Sequence, residues 1–325
     1  MNSIFRDLLC GMCWRAPWSR LFGSRMPTVL MYHGIPRECG QPGVDAATFE
    51  RHIIFLKEHF EFIAPEDMGR KRGRLARPRI LLTFDDGFGN NAEVAAPILR
   101  THGVPAVFFV CSGPARHGRL LWFAYLRVLT RWFQGDSLTY LGRDWDMTPA
   151  GRSRTIRALR DHLETLRPHP GAIYRQIEEH LPDPASFAPP EKVADHFAGM
   201  TARQVADLSR DPLFTIGAHT VDHPYLSLCD AQECRRQLLD NKTWIEDVTG
   251  RPCEVLAYPL GDYDRQVLNC CRELGFRIGY AVIPQLRVEP ELEIPRMGVY
   301  RPSLEILGVK ATYGNVMRQM HLGFG

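Results

Sequence analysis

The chain has 325 residues, of which 45% are hydrophobic and 24% are charged, and 40 basic against 37 acidic side chains leave a net charge of +3. This is the composition of a globular protein with one large α/β domain or two small ones, and the small net charge gives no reason to expect a nucleic-acid partner. Nine cysteines, an odd number without regular spacing, favour free thiols in a reducing compartment over a disulfide framework.

Residues 1–26 form a segment that mixes aromatic, apolar and arginine side chains. Arg6 and Asp7 interrupt any apolar core of a signal peptide, and no run in the chain approaches the ~18–20 apolar residues of a transmembrane helix. We therefore expect a cytoplasmic protein. As a helix, this segment could lie at a membrane interface, which would make the protein peripheral at the inner face of the membrane, or it could pack on the protein's own surface. The second arrangement is favoured.

From residue 28 onward, short apolar strands alternate with helical stretches. Strands are predicted over 28–35, 61–64, 79–84, 106–110, 214–220, 255–261, 277–282 and 293–299, and helices over 46–59, 91–102, 228–249 and 264–274. This alternation indicates a parallel sheet. About eight strands favour an α/β fold, a distorted (β/α) barrel of seven or eight strands over residues 27–325, with functional groups at the carboxyl ends of the strands.

Residues 114–208 break this alternation. They contain helical patterns at 120–133 and 152–166 and a proline-rich segment at 181–192, so we interpret them as a helical insertion between two barrel strands. The insertion could form a substrate wall, a dimer contact or a docking surface. The basic run GRKRGRLARPR (69–79) is typical of a solvated loop, and an anionic or phosphorylated partner is the alternative.

Polar side chains follow two of the predicted strands. Asp85 and Asp86 come directly after the strand 79–84 and precede a glycine, a pattern that is often only a turn. Neighbouring side chains of an extended chain point in different directions, so the two carboxylates could have separate functions. His219 lies at the end of the strand 214–220 and His223 follows it, and Pro224 favours a strand end and tight turn over a helix there. Two histidines and one carboxylate suit a catalytic divalent metal with open coordination positions.

Three segments resemble, in order, the motifs of the polysaccharide deacetylases, the NodB-homology or carbohydrate esterase 4 family. TFDDG (83–87) resembles the first motif, HTVDHP (219–224) the second, and YPLG (258–261) one version of the third. The resemblance covers about residues 27–300. MYHGI (31–35) is similar to the last motif as it occurs in the branch that modifies exported adhesin polysaccharides, where this motif, with its catalytic-acid histidine, has moved to the N-terminus.

The resemblance implies a role for each matching residue. Asp86, His219 and His223 are expected to bind a divalent metal, most often Zn²⁺, with Ni²⁺, Co²⁺, Fe²⁺ or Mn²⁺ as alternatives. Asp85 is expected to be the general base for an attacking water, and His33 the general acid that protonates the leaving amine. A core histidine satisfied by backbone groups is the alternative for His33.

The third motif supplies further expected residues. The resemblance implies that the backbone N–H of Leu260 stabilises the oxyanion, with Tyr258, Pro259 and Gly261 around the substrate. Many relatives carry an arginine two residues before the proline of this motif, where it orients the base, but here that position is Ala257. Arg296 is predicted to replace it, and a surface salt bridge is the alternative.

These assignments favour a metal-dependent N-deacetylase acting on an N-acetylated amino sugar in envelope polysaccharide or lipid-linked glycan biosynthesis. The expected partner is an acetylated saccharide or a lipid-linked sugar, and peripheral membrane contact is compatible with the N-terminal segment. Two alternatives stay open: a deformylase of a formamido sugar on a lipid phosphate, and a saccharide-binding relative without turnover. The pattern does not indicate an oligomeric state.

Overall fold

The computed structural model describes residues 26–39, 43–70 and 77–319, with side chains in the last helix up to Gly314. The strands in these residues are β1 (Thr28–Tyr32), β2 (Glu61–Phe62), β3 (Arg79–Phe84), β4 (Ala106–Val110), β5 (Ser137–Tyr140), β6 (Arg143–Asp146), β7 (Phe214–Ala218), β8 (Val255–Ala257), β9 (Ile278–Ala281) and β10 (Ile294–Gly298). Seven of them run parallel and close into a barrel in the order β1-β3-β4-β7-β8-β9-β10, and β10 pairs again with β1. The predicted (β/α) barrel is confirmed, and each of the eight predicted strand segments contains one of these strands.

The helices follow the strands in the expected alternation. They are α1 (Ala46–His59), α2 (Ala96–His102), α3 (Ser112–His117), α4 (Trp122–Trp132), α5 (Arg152–Thr165), α6 (Pro170–His180), α7 (Pro190–Phe197), α8 (Ala202–Ser209), α9 (Ala231–Thr249), α10 (Arg265–Glu273) and α11 (Leu304–Gln319). Aspartates at 45, 230 and 264 cap α1, α9 and α10 by accepting a backbone N–H of the first turn. No helix in the described ranges is both long and apolar enough to cross a lipid bilayer.

Side chains of the barrel strands alternate between two apolar layers. Outward residues such as Phe84 and Phe108 pack against the surrounding helices, whereas inward residues such as Leu81, Phe109 and Tyr280 fill the barrel interior. Each fully buried aromatic or aliphatic side chain contributes roughly 1.5–3 kcal/mol to folding. The inward row is important for the site, because its next positions beyond the strand ends are polar.

The segment between β4 and β7 forms a helical layer with its own apolar cluster, which includes Leu129, Leu159 and Leu163. It also contains an antiparallel hairpin, β5–β6, that the sequence pattern did not predict. The turn residues Leu141 and Gly142 have φ of 50° and 71°, as a two-residue type I′ turn requires. A leucine is uncommon at such a position, so the usual Asn-Gly signal is absent.

Two predicted segments fall mostly outside this description. Residues 1–25 of the N-terminal segment and residues 71–76 of the basic run are not described. Their suggested contacts with a membrane or an anionic partner therefore stay predictions.

Candidate active site

A cavity of about 520 Å³ opens at the carboxyl ends of the barrel strands. Its floor is formed by strand-end residues, and one wall is formed by α4 and α5 of the insertion. The barrel contributes Met31, His33, Asp85, Asp86, His219, His223, Tyr258, Leu260, Gly261, Val282, Arg296 and Tyr300, and the other side contributes Trp122, Phe123, Leu126, Arg127, Thr130, Ile156, Arg160, Glu164 and Tyr225. The structure thus brings almost all of the predicted site residues together.

Asp85 faces the barrel interior and is held by Arg296. It continues the inward row of β3 after Leu81 and Thr83, and Arg296 occupies the inward row of β10. The Arg296 guanidinium donates to both oxygens of Asp85, from Nη1 to Oδ1 at 2.6 Å and from Nη2 to Oδ2 at 2.7 Å. Arg296 is 1% exposed, so this pair is not a surface salt bridge.

The electrostatic surroundings of Asp85 favour its charged form. Burial raises the pKa of this carboxyl, but the charge and hydrogen bonds of Arg296 together with the nearby histidines lower it further, and the pKa lies below its ordinary value. The side chain is 3% exposed. An ionised carboxylate with lone pairs beyond those used by the guanidinium can still accept a proton.

Asp86 leaves the strand in another direction and meets the two histidines. Its backbone φ of 71° ends the extended conformation. Oδ1 of Asp86 lies 3.4 Å from Nε2 of His223 and 3.6 Å from Nε2 of His219. The three side chains are buried, and their nearest ligand atoms all lie within 4.8 Å of one another. The two adjacent aspartates therefore face different groups.

The donor set of Asp86, His219 and His223 fits a divalent cation. Nδ1 of His219 donates to the Ala257 carbonyl at 2.7 Å, which leaves the lone pair of Nε2 directed toward Asp86. Such a backbone acceptor for the outer imidazole nitrogen is typical of metal-ligating histidines. Oδ1 of Asp86 is buried without a hydrogen-bond partner among the described residues. An uncompensated buried carboxylate oxygen beside two imidazole nitrogens is the arrangement that a bound cation satisfies.

The pKa values of these groups favour the states that ligate metals. Burial raises the pKa of Asp86, but the neighbouring His219 and His33 lower it further than burial raises it. Burial lowers the pKa of His223 to about 4, although the charge of Asp86 acts in the opposite direction. Asp86 is therefore ionised and His223 neutral at neutral pH, and both can donate electron pairs.

Strained backbone is concentrated around this cluster. Four non-glycine residues in the three motif loops have left-handed φ values: Asp86 (71°), Thr220 (66°), His223 (56°) and Leu260 (60°). Each such residue costs on the order of 1 kcal/mol or more relative to relaxed backbone, and this cost is tolerated where function requires an unusual side-chain direction. The strain supports the three loops as one functional unit.

Two polar side chains of α9 hold the loop that carries the histidines, and sequence reasoning missed both. Asn241 accepts from the His219 N–H at 3.0 Å and donates to the Val110 carbonyl at 3.0 Å. Gln237 accepts from the N–H groups of residues 221 and 222 at 3.0 and 2.9 Å. Both are fully buried on the otherwise apolar stripe of α9, next to residues such as Leu238 and Ile245. Polar residues four apart on an apolar stripe were the signal that could have found them.

Asp222 connects the same loop to the insertion. Its Oδ1 accepts from Nη2 of Arg119 at 2.6 Å, and its Oδ2 accepts from Nε2 of Gln237 at 2.8 Å. The Arg119 guanidinium lies over the Tyr174 ring, 3.6 Å from its centroid, and the Tyr174 hydroxyl donates to the Asp222 carbonyl. Asp222 is 3% exposed, so this buried network holds the loop between His219 and His223 in place.

His33 lies in the cavity next to Tyr300. It continues the inward row of β1 after Val29 and Met31, and its ring centroid lies 5.6 Å from that of Tyr300. Nδ1 of His33 is buried without a hydrogen-bond partner among the described residues, which does not fit a histidine satisfied by backbone groups. The Ile35 N–H donates to Oδ1 of Asn90 at 2.9 Å and fixes the chain just after His33.

The third motif forms a tight turn at the cavity edge. Leu260 is 49% exposed and, like Gly261, lines the cavity with left-handed backbone. Tyr258 is fully buried, and its hydroxyl donates to the Leu292 carbonyl at 3.0 Å. Pro259 is buried within the turn and is not part of the cavity lining. Substrate contact by these residues stays a prediction, and for Tyr258 and Pro259 the visible contribution is to the shape of the turn.

Comparisons with known proteins concern the family and the fold of this chain. The family model described as polysaccharide deacetylase matches residues 72–127 and 177–279. A curated relative, YxkH of Bacillus subtilis (strain 168), whose own name as a polysaccharide deacetylase is provisional, is 18% identical over 299 residues, covering 87% of this chain and 78% of that protein.

Solved structures share the fold. The Streptococcus pyogenes deacetylase PplD, solved in complex with acetate, has a TM-score of 0.56 and 17% identity, with 89% of this chain and 98% of that chain covered. IcaB from Ammonifex degensii has a TM-score of 0.57 and 17% identity with the same coverage. At these identities the likeness concerns the fold.

Proposed function

Because this chain belongs to the polysaccharide deacetylase family, we propose that it is a metal-dependent hydrolase that removes the acetyl group from an N-acetylated amino sugar. The observation that carries the proposal is the separation of the two neighbouring carboxylates. Asp85 is paired with Arg296, whereas Asp86 faces His219 and His223, and all of them line one cavity. This arrangement supports a base and a cation site side by side.

Asp86, His219 and His223 would hold the metal. Two imidazole nitrogens and one carboxylate suit Zn²⁺ with open positions, and Ni²⁺, Co²⁺, Fe²⁺ and Mn²⁺ use the same ligand types. When bound, the cation supplies Lewis-acid chemistry, because it lowers the pKa of a ligated water toward ~7 and polarises the acyl carbonyl. The hydrogen bond from His219 to Ala257 and the interactions of Asp222 keep the ligands in place.

Asp85 is proposed as the general base. It is ionised at neutral pH because Arg296 lowers its pKa, and the bidentate contact holds the carboxylate in one orientation. In that state it takes a proton from the attacking water as the water oxygen bonds to the acyl carbon. Positioned general bases of this kind contribute about 10²–10⁴-fold to the rate.

His33 and the turn at Leu260 are proposed to act on the other two centres of the reaction. His33 would donate a proton to the amine nitrogen as the C–N bond breaks, so that one amide and one water give acetate and a free amino sugar. Leu260 would direct its backbone N–H at the developing oxyanion, which explains a left-handed leucine at the cavity edge. We further propose that the substrate is a unit of an envelope polysaccharide or a lipid-linked glycan precursor.

The test compares the wild-type protein with Asp85→Asn and Asp86→Asn. Bound metal is measured by mass spectrometry of the purified chain, and acetate and formate release are measured on N-acetylated and N-formylated amino sugars. We expect the wild type to hold about one equivalent of metal and to release acetate. Asp85→Asn should keep the metal and lose at least 10²-fold in rate, whereas Asp86→Asn should lose both. Equal turnover by Asp85→Asn would contradict the proposed base.

The same assay separates the alternative functions. Formate release without acetate release identifies a deformylase that uses the same residues. Bound metal with neither product, on any acylated sugar, favours a saccharide-binding protein without turnover. Circular dichroism checks that each variant is folded. This matters for Asp85→Asn in particular, because it leaves the buried Arg296 guanidinium without its charged carboxylate partner.

A further inference from the structure

Two arginines of the insertion face the catalytic cavity. Arg127 on α4 and Arg160 on α5 line the cavity that contains Asp85 and Asp86, and both side chains are exposed. In the part of the chain that the structure describes, neither guanidinium forms an ion pair with a carboxylate. Two unpaired positive charges that line one concave site strengthen each other's field and attract an anion.

The position of Arg127 relative to the metal ligands follows from helix geometry. Phe123 lies four residues before it on the same face of α4, and the Phe123 ring meets the His223 ring edge to face at 4.9 Å. The Arg127 guanidinium lies 5.6 Å from the Phe123 centroid. Four residues of helix span about 6 Å, so Arg127 lies roughly one turn farther along the cavity wall than the side chain that touches the metal ligand.

Arg160 belongs to a similar row on α5. Ile156, Arg160 and Glu164 are spaced by four residues and line the cavity from the second wall helix. The carboxylate of Glu164 is compensated by an ion pair with Arg167, and that guanidinium also lies over the Tyr225 ring, 4.0 Å from its centroid. The wall therefore keeps the positive charge of Arg127 and Arg160 after the negative charge of Glu164 is balanced.

We propose that Arg127 and Arg160 form a subsite for an anionic group, phosphate or carboxylate, that the amino-sugar substrate carries next to its acylated position. This rests on the proposed function, which places the acyl group at Asp85. Guanidinium groups bind phosphate and carboxylate through two parallel hydrogen bonds, and the subsite lies beside the catalytic groups rather than among them. The substrate class is then a sugar phosphate, a phosphate-linked glycan precursor or an acidic saccharide, rather than a neutral polymer.

Binding is tested on the full chain after metal removal with a chelator, so that the anion cannot bind the metal. Titration calorimetry compares N-acetylglucosamine with N-acetylglucosamine 1-phosphate and N-acetylmuramic acid. We expect at least one anionic sugar to bind about tenfold or more tightly than the neutral sugar, since charge-assisted bidentate contacts are among the strong ones. Preference for the phosphate identifies a phosphorylated substrate, and preference for the carboxylate identifies an acidic saccharide.

The variants Arg127→Gln and Arg160→Gln, singly and together, should lose this preference and leave binding of the neutral sugar unchanged. Arg157→Gln is the matched control, because Arg157 is an exposed arginine on α5 that does not line the cavity. Equal binding of neutral and anionic sugars, or a preference that persists in the double variant, would overturn the subsite. An equal loss of the anion preference in Arg157→Gln would also overturn the subsite.

Turnover of the neutral sugar by the metal-loaded protein separates the two proposals. Hydrolysis of N-acetylglucosamine units without any anion preference supports the proposed hydrolase and contradicts the proposed subsite. An anion preference that depends on Arg127 and Arg160, without hydrolysis of any sugar, supports the proposed subsite and contradicts the proposed hydrolase.

Discussion

Arg296 and Asp85 form a buried bidentate pair between two strands of the barrel, with both N···O distances below 2.8 Å. Arg296 extends from β10 through the barrel interior, 5.5 Å from the centroid of the Phe109 ring. Ala257 belongs to the same interior cluster as Phe109. Because Ala257 has a small side chain, it leaves space in the barrel interior that a larger residue at this position would occupy. The arginine that contacts the Asp85 carboxylate is Arg296 of β10.

Replacing Arg296 by lysine should shift the pH dependence of catalysis. Lysine keeps one positive charge but cannot donate to both carboxylate oxygens, so the pKa of Asp85 should rise toward its ordinary value. The proposed base works only when it is ionised, so the acidic limb of the kcat/KM profile should move to higher pH. We also expect kcat at neutral pH to fall about 10–10³-fold, because the carboxylate is less well oriented.

The measurement is a pH–rate profile of Arg296→Lys beside the wild type and the surface variant Arg157→Gln. An unchanged acidic limb in Arg296→Lys would show that another group limits the reaction at low pH. Arg296→Met is unsuitable on its own, because removal of one partner of a buried pair costs about 3–5 kcal/mol of stability.

Asp222 is expected to act as a positioning residue for the metal ligands. Asp222→Asn keeps the shape of the side chain but removes the charge that pairs with Arg119, and the loop between His219 and His223 should loosen. Loss of such an outer contact lowers metal affinity about 10–100-fold. Competition with a chromophoric chelator measures this affinity. Asp247→Asn, on the exposed face of α9, is the control and should bind metal like the wild type. Equal affinity in both variants would mean that Asp222 supports only the fold.

Gly217 should not tolerate even one methyl group. A Cβ at this inward position would lie 2.5 Å from Cδ1 and Cε1 of Phe109 and 2.9 Å from Cγ2 of Val255. We therefore expect Gly217→Ala to destabilise the protein by about 1–3 kcal/mol. Phe109→Leu should recover part of this loss, so the two substitutions should be non-additive in urea denaturation. Gly171→Ala, on a helix with no atom closer than 3.8 Å, is the control. If the stability losses of Gly217→Ala and Phe109→Leu were additive, the methyl group would not be crowded by Phe109.

Much of the fold and the clustering of Asp86, His219 and His223 could be predicted from sequence for one physical reason. The barrel strands are short apolar runs, and parallel strands bring their carboxyl ends to one edge of the sheet. The polar residues that follow β3 and β7 must therefore meet. Side-chain alternation also indicated that Asp85 and Asp86 point apart, as they do.

The supports of the site could not be predicted in the same way. Gln237 and Asn241 bond to backbone groups of a loop about 16 and 22 residues away in sequence, so their partners are defined only by the packed structure. The wall formed by Phe123 and Arg127 depends on how the insertion folds over the barrel, which helix periodicity alone does not specify. The sequence could identify Arg296 as a candidate partner of Asp85 from its place in a late strand. Only the burial of Arg296 in the structure distinguishes a pair inside the barrel from a surface salt bridge.

His52 should make the stability of the protein depend on pH. It is fully buried on α1, where its Nδ1 accepts from the Tyr32 hydroxyl at 3.2 Å and its Nε2 donates to the Pro302 carbonyl at 3.3 Å. Burial lowers its pKa to about 4, although the Pro302 carbonyl acts in the opposite direction. The unfolded chain takes up this proton near pH ~6.5, whereas the folded chain excludes it until about pH 4. The free energy of unfolding should therefore fall as the pH decreases through this window, by on the order of 1 kcal/mol per pH unit.

Chemical denaturation at pH 7, 6 and 5 measures this slope, and His52→Gln tests its origin. The variant loses some stability at pH 7, since its amide cannot reproduce both hydrogen bonds, but its stability should depend less steeply on pH than that of the wild type. His59→Gln, which changes a more exposed histidine on the same helix, is the control variant. The difference between wild type and variant isolates His52 from the other groups that titrate in this range. An equal slope in His52→Gln would mean that the pH dependence comes from those groups, such as His223.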